Sequence, residues 1–198
     1  MIKNLALRYL TGSNKKGSET MQPQAVLPVK YFVGALYSAE AILDKALKSL
    51  EKQLSPVDCQ SKSFPFRVTN YYDEEMGAPL FRKFFSFTGL ASPGFLAQAK
   101  ILTNGTEEQF AIDGRRKVNL DIGYLDYDKV VLASVKYGIH KIFLDAGIYA
   151  DLALHYEKGK FQPYPWAFLD FRTAEYYPFF LKIRALYKSQ VRQFVSPG

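Results

Sequence analysis

Asn70-Tyr71-Tyr72-Asp73-Glu74-Glu75-Met76-Gly77 sets three consecutive acids behind two tyrosines in a chain of net charge +7. A strand would bury at least one of those acids, so the segment is predicted to be a loop that holds carboxylates in place, and loops are where sites sit. The same triplet also suits a helix N-terminus, where carboxylates favour the dipole. In Lys117-Val118-Asn119-Leu120-Asp121-Ile122 the strict alternation puts Asn119 and Asp121 on the face opposite Val118, Leu120 and Ile122. Over 148–157 the same rule puts Tyr149, Asp151, His155 and Glu157 on one side, away from Ile148, Ala150, Leu152 and Leu154. If the two polar faces coincide, Asp73, Glu75 and Asp121 are candidate ligands for Mg²⁺ or Mn²⁺, and Asp121 and Asp151 could move protons beside an imidazole. Alternation alone also generates a polar, solvated face.

A second set of residues suits binding. Asn70, Tyr71 and Tyr72 combine an amide with two rings, which fits stacking on a flat ligand or filling a gap between sheet and helix. Pro163-Tyr164-Pro165-Trp166 holds the only tryptophan in a proline-bracketed turn. Asp170 and Arg172, two apart, either pin the start of the last helix or leave Arg172 to recognise a ligand. His140 opens an apolar stretch and is a candidate for catalysis or for a structural hydrogen bond. Arg115-Arg116-Lys117 and the helical stripe Arg184, Lys188, Arg192 could contact phosphates of single-stranded RNA, or be solvated. The aromatic signatures of RNA-recognition motifs are missing from these strands, as are GxSxG, HExxH and a dinucleotide fingerprint.

Composition bounds the rest. The 198 residues suffice for one domain, and 16% aromatic content, with 14 Tyr and 16 Phe, exceeds what surface chemistry needs. Cys59 is the only cysteine, so no internal disulfide forms, which fits a reducing cytoplasm. No apolar run has the length of a signal peptide core or a membrane span, so secretion and membrane partners are not expected. Residues 1–27 read as a flexible leader that carries three of the seven net charges, with Met21 a possible translation start.

These residues need elements to position them. Residues 29–36 predict a buried strand, followed by a helix capped by Ser38 and ended by Pro56. Strands are predicted over 62–69 and 81–87, then a helix from Ser92-Pro93 to about Ile112, and a strand over 117–122. Asp128 reads as the cap of a short helix to Tyr137. A hairpin over 140–157 turns at Asp145-Ala146-Gly147, a further strand follows Lys158-Gly159, and a helix covers 173–194. The order strand-helix-strand-strand-helix-strand predicts an α+β fold in one domain over 28–195. It would be a ferredoxin-like antiparallel sheet with helices on one face, extended by a β-hairpin and a C-terminal helix.

Pro28-Val29-Lys30, Asn70-Tyr71-Tyr72 through Met76-Gly77, Val118-Asn119-Leu120-Asp121 with Gly123-Tyr124-Leu125, and Pro165-Trp166 through Asp170-Phe171-Arg172 resemble the prokaryotic domain-of-unknown-function family DUF4416. The resemblance implies a compact cytoplasmic protein and no particular activity. From the residues themselves, the leading expectation is a small module that binds an anionic ligand, a nucleotide or RNA element. Its groove would lie between the acidic segment, Asn119/Asp121 and the Trp166–Arg172 segment. The alternatives are a Mg- or Mn-dependent enzyme of phosphoryl or nucleotidyl chemistry, and a homo-oligomeric scaffold that buries its aromatic surplus between subunits.

Overall fold

All nine residues of β1 (Val29–Tyr37) are buried, because this strand lies inside a sheet covered on both faces. The computed structural model describes residue 23 and residues 25–195, so the expected leader falls mostly outside the described residues, and Met21 wholly so. On one face of β1, Tyr31, Val33 and Ala35 pack beneath α1 (Glu40–Gln53) and α3 (Leu96–Gln109), with Leu43, Leu50 and Ala99 as the helical contribution. On the other, Phe32 joins a core that includes Phe84, Phe161, Phe171, Phe180 and Tyr187, and α4 (Tyr177–Val195) covers it. Much of the aromatic content is placed there. The Phe84 ring alone has Tyr176 at 4.7 Å and Phe179 and Phe180 each at 5.5 Å.

Among the described residues the sheet has nine strands, and every pairing in it is antiparallel. Besides β1 these are β2 (Val57–Gln60), β3 (Phe64–Pro65), β4 (Phe81–Ala91), β5 (Val118–Leu125), β6 (Lys129–Ser134), β7 (Ile142–Asp145), β8 (Ile148–Glu157) and β9 (Lys160–Pro163). Their order is β2-β4-β1-β5-β6-β8-β7, with β3 on β4 and β9 on β8. The α+β class holds, with four α-helices among the described residues. α1 and α3 share one face, and the C-terminal helix α4, with a 3₁₀ turn over Leu169–Thr173, closes the second. No helix among the described residues is long and apolar enough to cross a membrane.

Several elements differ from their predicted form. The acidic segment is a single helical turn, α2 (Asp73–Met76), which Gly77 stops at φ 84°. Ser38 does not cap α1; its hydroxyl donates to the Met76 carbonyl at 2.7 Å and so anchors that turn. The expected strand over 62–69 is reduced to the two residues of β3, and the longer strand, β2, forms ahead of it. The expected helix from Asp128 is strand β6, since Asp126 Oδ1 accepts from the Asp128 and Lys129 amides and reverses the chain into Val130-Val131-Leu132. Both hairpin turns are as predicted. Ala146 and Gly147 have φ of 49° and 76°, and Lys158 and Gly159 have 48° and 87°, the pair of positive values that a tight two-residue turn requires.

Candidate functional site

Gly34 makes room for the central ion cluster. A Cβ there would stand 2.8 Å from the Phe84 ring, and the Gly34 carbonyl accepts from Arg82 Nη1 at 3.1 Å. Gly34 pairs with Asp121 across β1 and β5, which brings the Asp121 carboxylate to the same Nη1 at 2.7 Å. Asp170, from the 3₁₀ turn, places Oδ2 3.5 Å from Arg82 Nη2, and the Tyr176 hydroxyl donates to that oxygen at 3.3 Å. The guanidinium also lies over the Phe66 ring, 5.3 Å from its centre. Burial pushes the Asp121 carboxyl up, but Arg82 and Lys100 more than reverse this and hold it below the usual carboxylate range. For Asp170 burial prevails over Arg82, and its pKa is raised. One buried cation thus serves two carboxylates and has no charge left over for a ligand.

A second arginine ties down the acidic turn. Arg116 grips Glu75 with two hydrogen bonds of 2.7 and 2.8 Å, and donates from Nη1 to Glu107 at 3.2 Å and to Asn119 Oδ1 at 3.0 Å. Glu107 Oε1 also accepts the Leu120 amide at 2.7 Å, and Lys100 is 3.6 Å from that oxygen. Hydrogen bonding from Arg116 lowers the Glu75 pKa, whereas burial raises that of Glu107. The expected face of Asn119 and Asp121 is therefore not open. Asn119 is 6% exposed, and Asp121 keeps about a third of its side-chain surface (33%) in contact with water. Asp73 is exposed, and among the described residues no group of three or more His, Cys, Asp and Glu side chains gathers as a metal site.

The other candidates form a separate cluster at the edge of β8. Val130 pairs with Leu154 while Val131 pairs with Leu152, so Ala153 is an extra residue in β8. This bulge reverses the alternation, and Asp151 and His155 fall on opposite faces rather than the same one. Asp151, 5% exposed, has His140 Nε2 at 3.6 Å and Lys141 Nζ at 3.4 Å. Trp166 stacks between His140 and Tyr164 at centroid distances of 5.3 and 5.1 Å, and its indole N–H donates to the Leu152 carbonyl at 2.8 Å. Arg172 donates to the Ala167 carbonyl at 2.9 Å and to that of Pro165, so it fastens the proline turn. Asp121 and Asp151 share no bonding partner among the described residues.

Above the Arg82 cluster lies an open cavity of about 490 Å³. Phe66, Phe81, Pro65 and Pro79 form apolar walls, and Arg67, Thr69, Asn70 and Asp73 form the polar side. Tyr72 packs on Phe66, with ring centres 6.3 Å apart, and burial followed by the nearby Asp121 raises its pKa. Tyr71 is 68% exposed, with Lys136 Nζ 5.4 Å from its ring centre. The structure thus gathers the acidic turn, Asn119, Asp121 and Asp170 around Arg82 and Arg116, and leaves Trp166 and Arg172 with His140 and Asp151. Phe66, Arg67 and Phe81 were not expected at the site; Pro65 and Pro79, which bracket the acidic segment, were the available signal.

Neither the curated proteins nor the solved structures offer a match to this chain. A family model does match it, over residues 27–187, and on that extent the chain belongs to the family described as domain of unknown function DUF4416.

Proposed function

We propose that this protein is a small binding module whose cavity between β3, α2 and the start of β4 takes an anionic, planar ligand, a nucleotide or one nucleotide of an RNA. The observation that carries the reading is the cavity itself. Its 490 Å³ falls within the roughly 300–1,000 Å³ of small-molecule sites, and it sets aromatic walls against a few convergent polar groups. A base fits against Phe66 and Phe81, and Thr69, Asn70 and Asp73 offer hydrogen bonds to its edge or to sugar hydroxyls. Arg67 supplies the cation. It has no ion-pair partner among the described residues, whereas Arg82 and Arg116 are each matched by two carboxylates. We read β2-β4-β1-β5 with α1 and α3 as a ferredoxin-like core, on the support of its strand order, antiparallel sense and two helices on one face. A cytoplasmic setting is supported by the lone Cys59.

Thermal unfolding of the full chain in EDTA, against a panel of nucleoside mono-, di- and triphosphates, inorganic phosphate and short RNA, tests the proposal. A ligand at about 100 times its dissociation constant adds about 2.7 kcal/mol of stability. The stabilisation is expected from nucleotides and to be lost in Arg67→Ala and Phe66→Ala, with unliganded melting little changed for Arg67→Ala. No stabilisation by any nucleotide or RNA, or one that both variants retain, overturns it.

A further inference from the structure

Strand β7 ends the sheet order, and all four of its residues are exposed. Charged residues usually blunt such an edge, but here the flanking charges are turned away. Lys141 Nζ lies 2.9 Å from the Ser134 hydroxyl and 3.4 Å from Asp151, and Asp145 Oδ1 accepts the Ala146 amide of its own turn at 2.8 Å. What remains is apolar. Val135 is 52% exposed, Tyr137 76%, Ile139 94%, Ile142 63%, Phe143 59% and Leu144 39%. Tyr137 and Phe143 both pack edge-on against Tyr149, at 6.0 and 5.6 Å, so the loop before β7 and the strand meet on one side of this edge. Taking about 150–200 Å² for each large side chain when fully exposed, these six residues together present roughly 570–770 Å². That approaches the ~800 Å² per partner of a standard interface, and exceeds the largest apolar patch of many monomers at ~300–600 Å².

We infer that the β7 edge is a dimer interface, at which β7 pairs antiparallel with β7 of a second copy about a two-fold axis through Phe143. The segment Ile142-Phe143-Leu144, which runs into the β7 bulge, is apolar throughout, so that register sets apolar against apolar. Phe143 meets Phe143 of the second copy and Ile142 meets Leu144, so the centre of the contact is apolar, while Lys141 and Asp145 stay bonded within their own chain. A two-fold contact uses the same patch on both chains, which this pattern satisfies. Pairing also gives partners to the edge backbone groups that β8 leaves free, and joins the two sheets into one.

Sedimentation equilibrium of the full chain tests the inference. The wild type is expected to sediment at twice the chain mass, and Phe143→Lys, which sets like charges together on the axis, at the chain mass with unchanged circular dichroism. A wild-type monomer, or a Phe143→Lys dimer, overturns the interface. Oxidative crosslinking reads the register independently of that variant's folding. Phe143→Cys lies opposite itself within disulfide reach and is expected to form a covalent dimer, while Ile142→Cys, displaced by two residues from its own copy, is not. Both retain the buried Cys59 as a common background. Failure of Phe143→Cys to crosslink, or equal crosslinking by Ile142→Cys, overturns the register. A wild-type monomer that instead acquires mass with an extended apolar peptide assigns the edge to a different partner and overturns the dimer.

Discussion

Removing the guanidinium from the Arg82 cluster by Arg82→Met tests how the candidate site is held together. The side chain is 7% exposed, so methionine fills much of its volume and leaves Asp121 and Asp170 facing each other without the guanidinium between them. Breaking a buried ion pair from one side costs about 3–5 kcal/mol. The lower end applies here, because Asp121 keeps 33% of its side-chain surface exposed. For a domain of this size, about 3 kcal/mol lowers Tm by about 6–12 °C. The pH dependence separates a charge effect from a packing effect. In the wild type the lowered Asp121 pKa contributes stability above the unfolded value of about 3.9, which is lost as the pH falls below it. The raised Asp170 pKa has the opposite sign: the folded state binds that proton more tightly, and stability increases as the pH falls through its folded value. Without Arg82 the burial of both carboxyls is less opposed and both shift upward, so the variant gains more stability on acidification than the wild type. Urea unfolding followed by circular dichroism at about pH 7 and about pH 4.5 reads the difference. The deficit should shrink at the lower pH, and adding Asp170→Asn should recover part of it at the higher one. A loss below about 1 kcal/mol at neutral pH, or a deficit that does not depend on pH, would refute the reasoning.

Lys30→Met removes a fully buried ammonium that bonds Asp58 at 2.6 Å, the Phe87 carbonyl at 2.9 Å and Gln190 Oε1 at 3.0 Å. A loss of about 3 kcal/mol in urea unfolding is expected, and a neutral result would show that the three acceptors find other partners. Gly123→Ala would put a Cβ 2.5 Å from the Val131 carbonyl and 2.9 Å from both Leu132 and Phe32. Because the nearest atom is backbone, β5 and β6 must separate, at about 1–3 kcal/mol; an unchanged urea midpoint would contradict that close approach.

Elements whose signal is local were legible in the sequence. The apolar run of β1 and the turns at Ala146-Gly147 and Lys158-Gly159 are dictated by residues within a few positions. Segment 128–137 was misread because Val130-Val131-Leu132-Ala133 suits a buried helix as well as a buried strand, and only pairing with β5 and β8 decides between them. The polar side of β8 was lost at Ala153, an extra residue that no periodicity announces. Glu75 looked like a ligand because a run of acids is visible in the sequence, whereas the Arg116 that occupies it lies 41 residues away. Asn70 and Asp73 do line the cavity, but its walls were illegible, since Phe66 and Phe81 meet only when Pro65 pairs with Phe81.

The placement of α4 bears on how the chain is made. Gln190 completes the coordination of Lys30, a contact that spans 160 residues, and Phe180 closes over Phe32 at 5.2 Å. Among the described residues the first strand is therefore finished by the last helix. Until α4 emerges, the nascent sheet can bury the face under α1 and α3, but it presents Phe32, Phe84 and an incompletely bonded lysine to water. Folding of the central strand is thus tied to synthesis of α4, and a chain truncated before α4 yields a sheet with one wet apolar face, a substrate for chaperones and proteases rather than a smaller version of the protein.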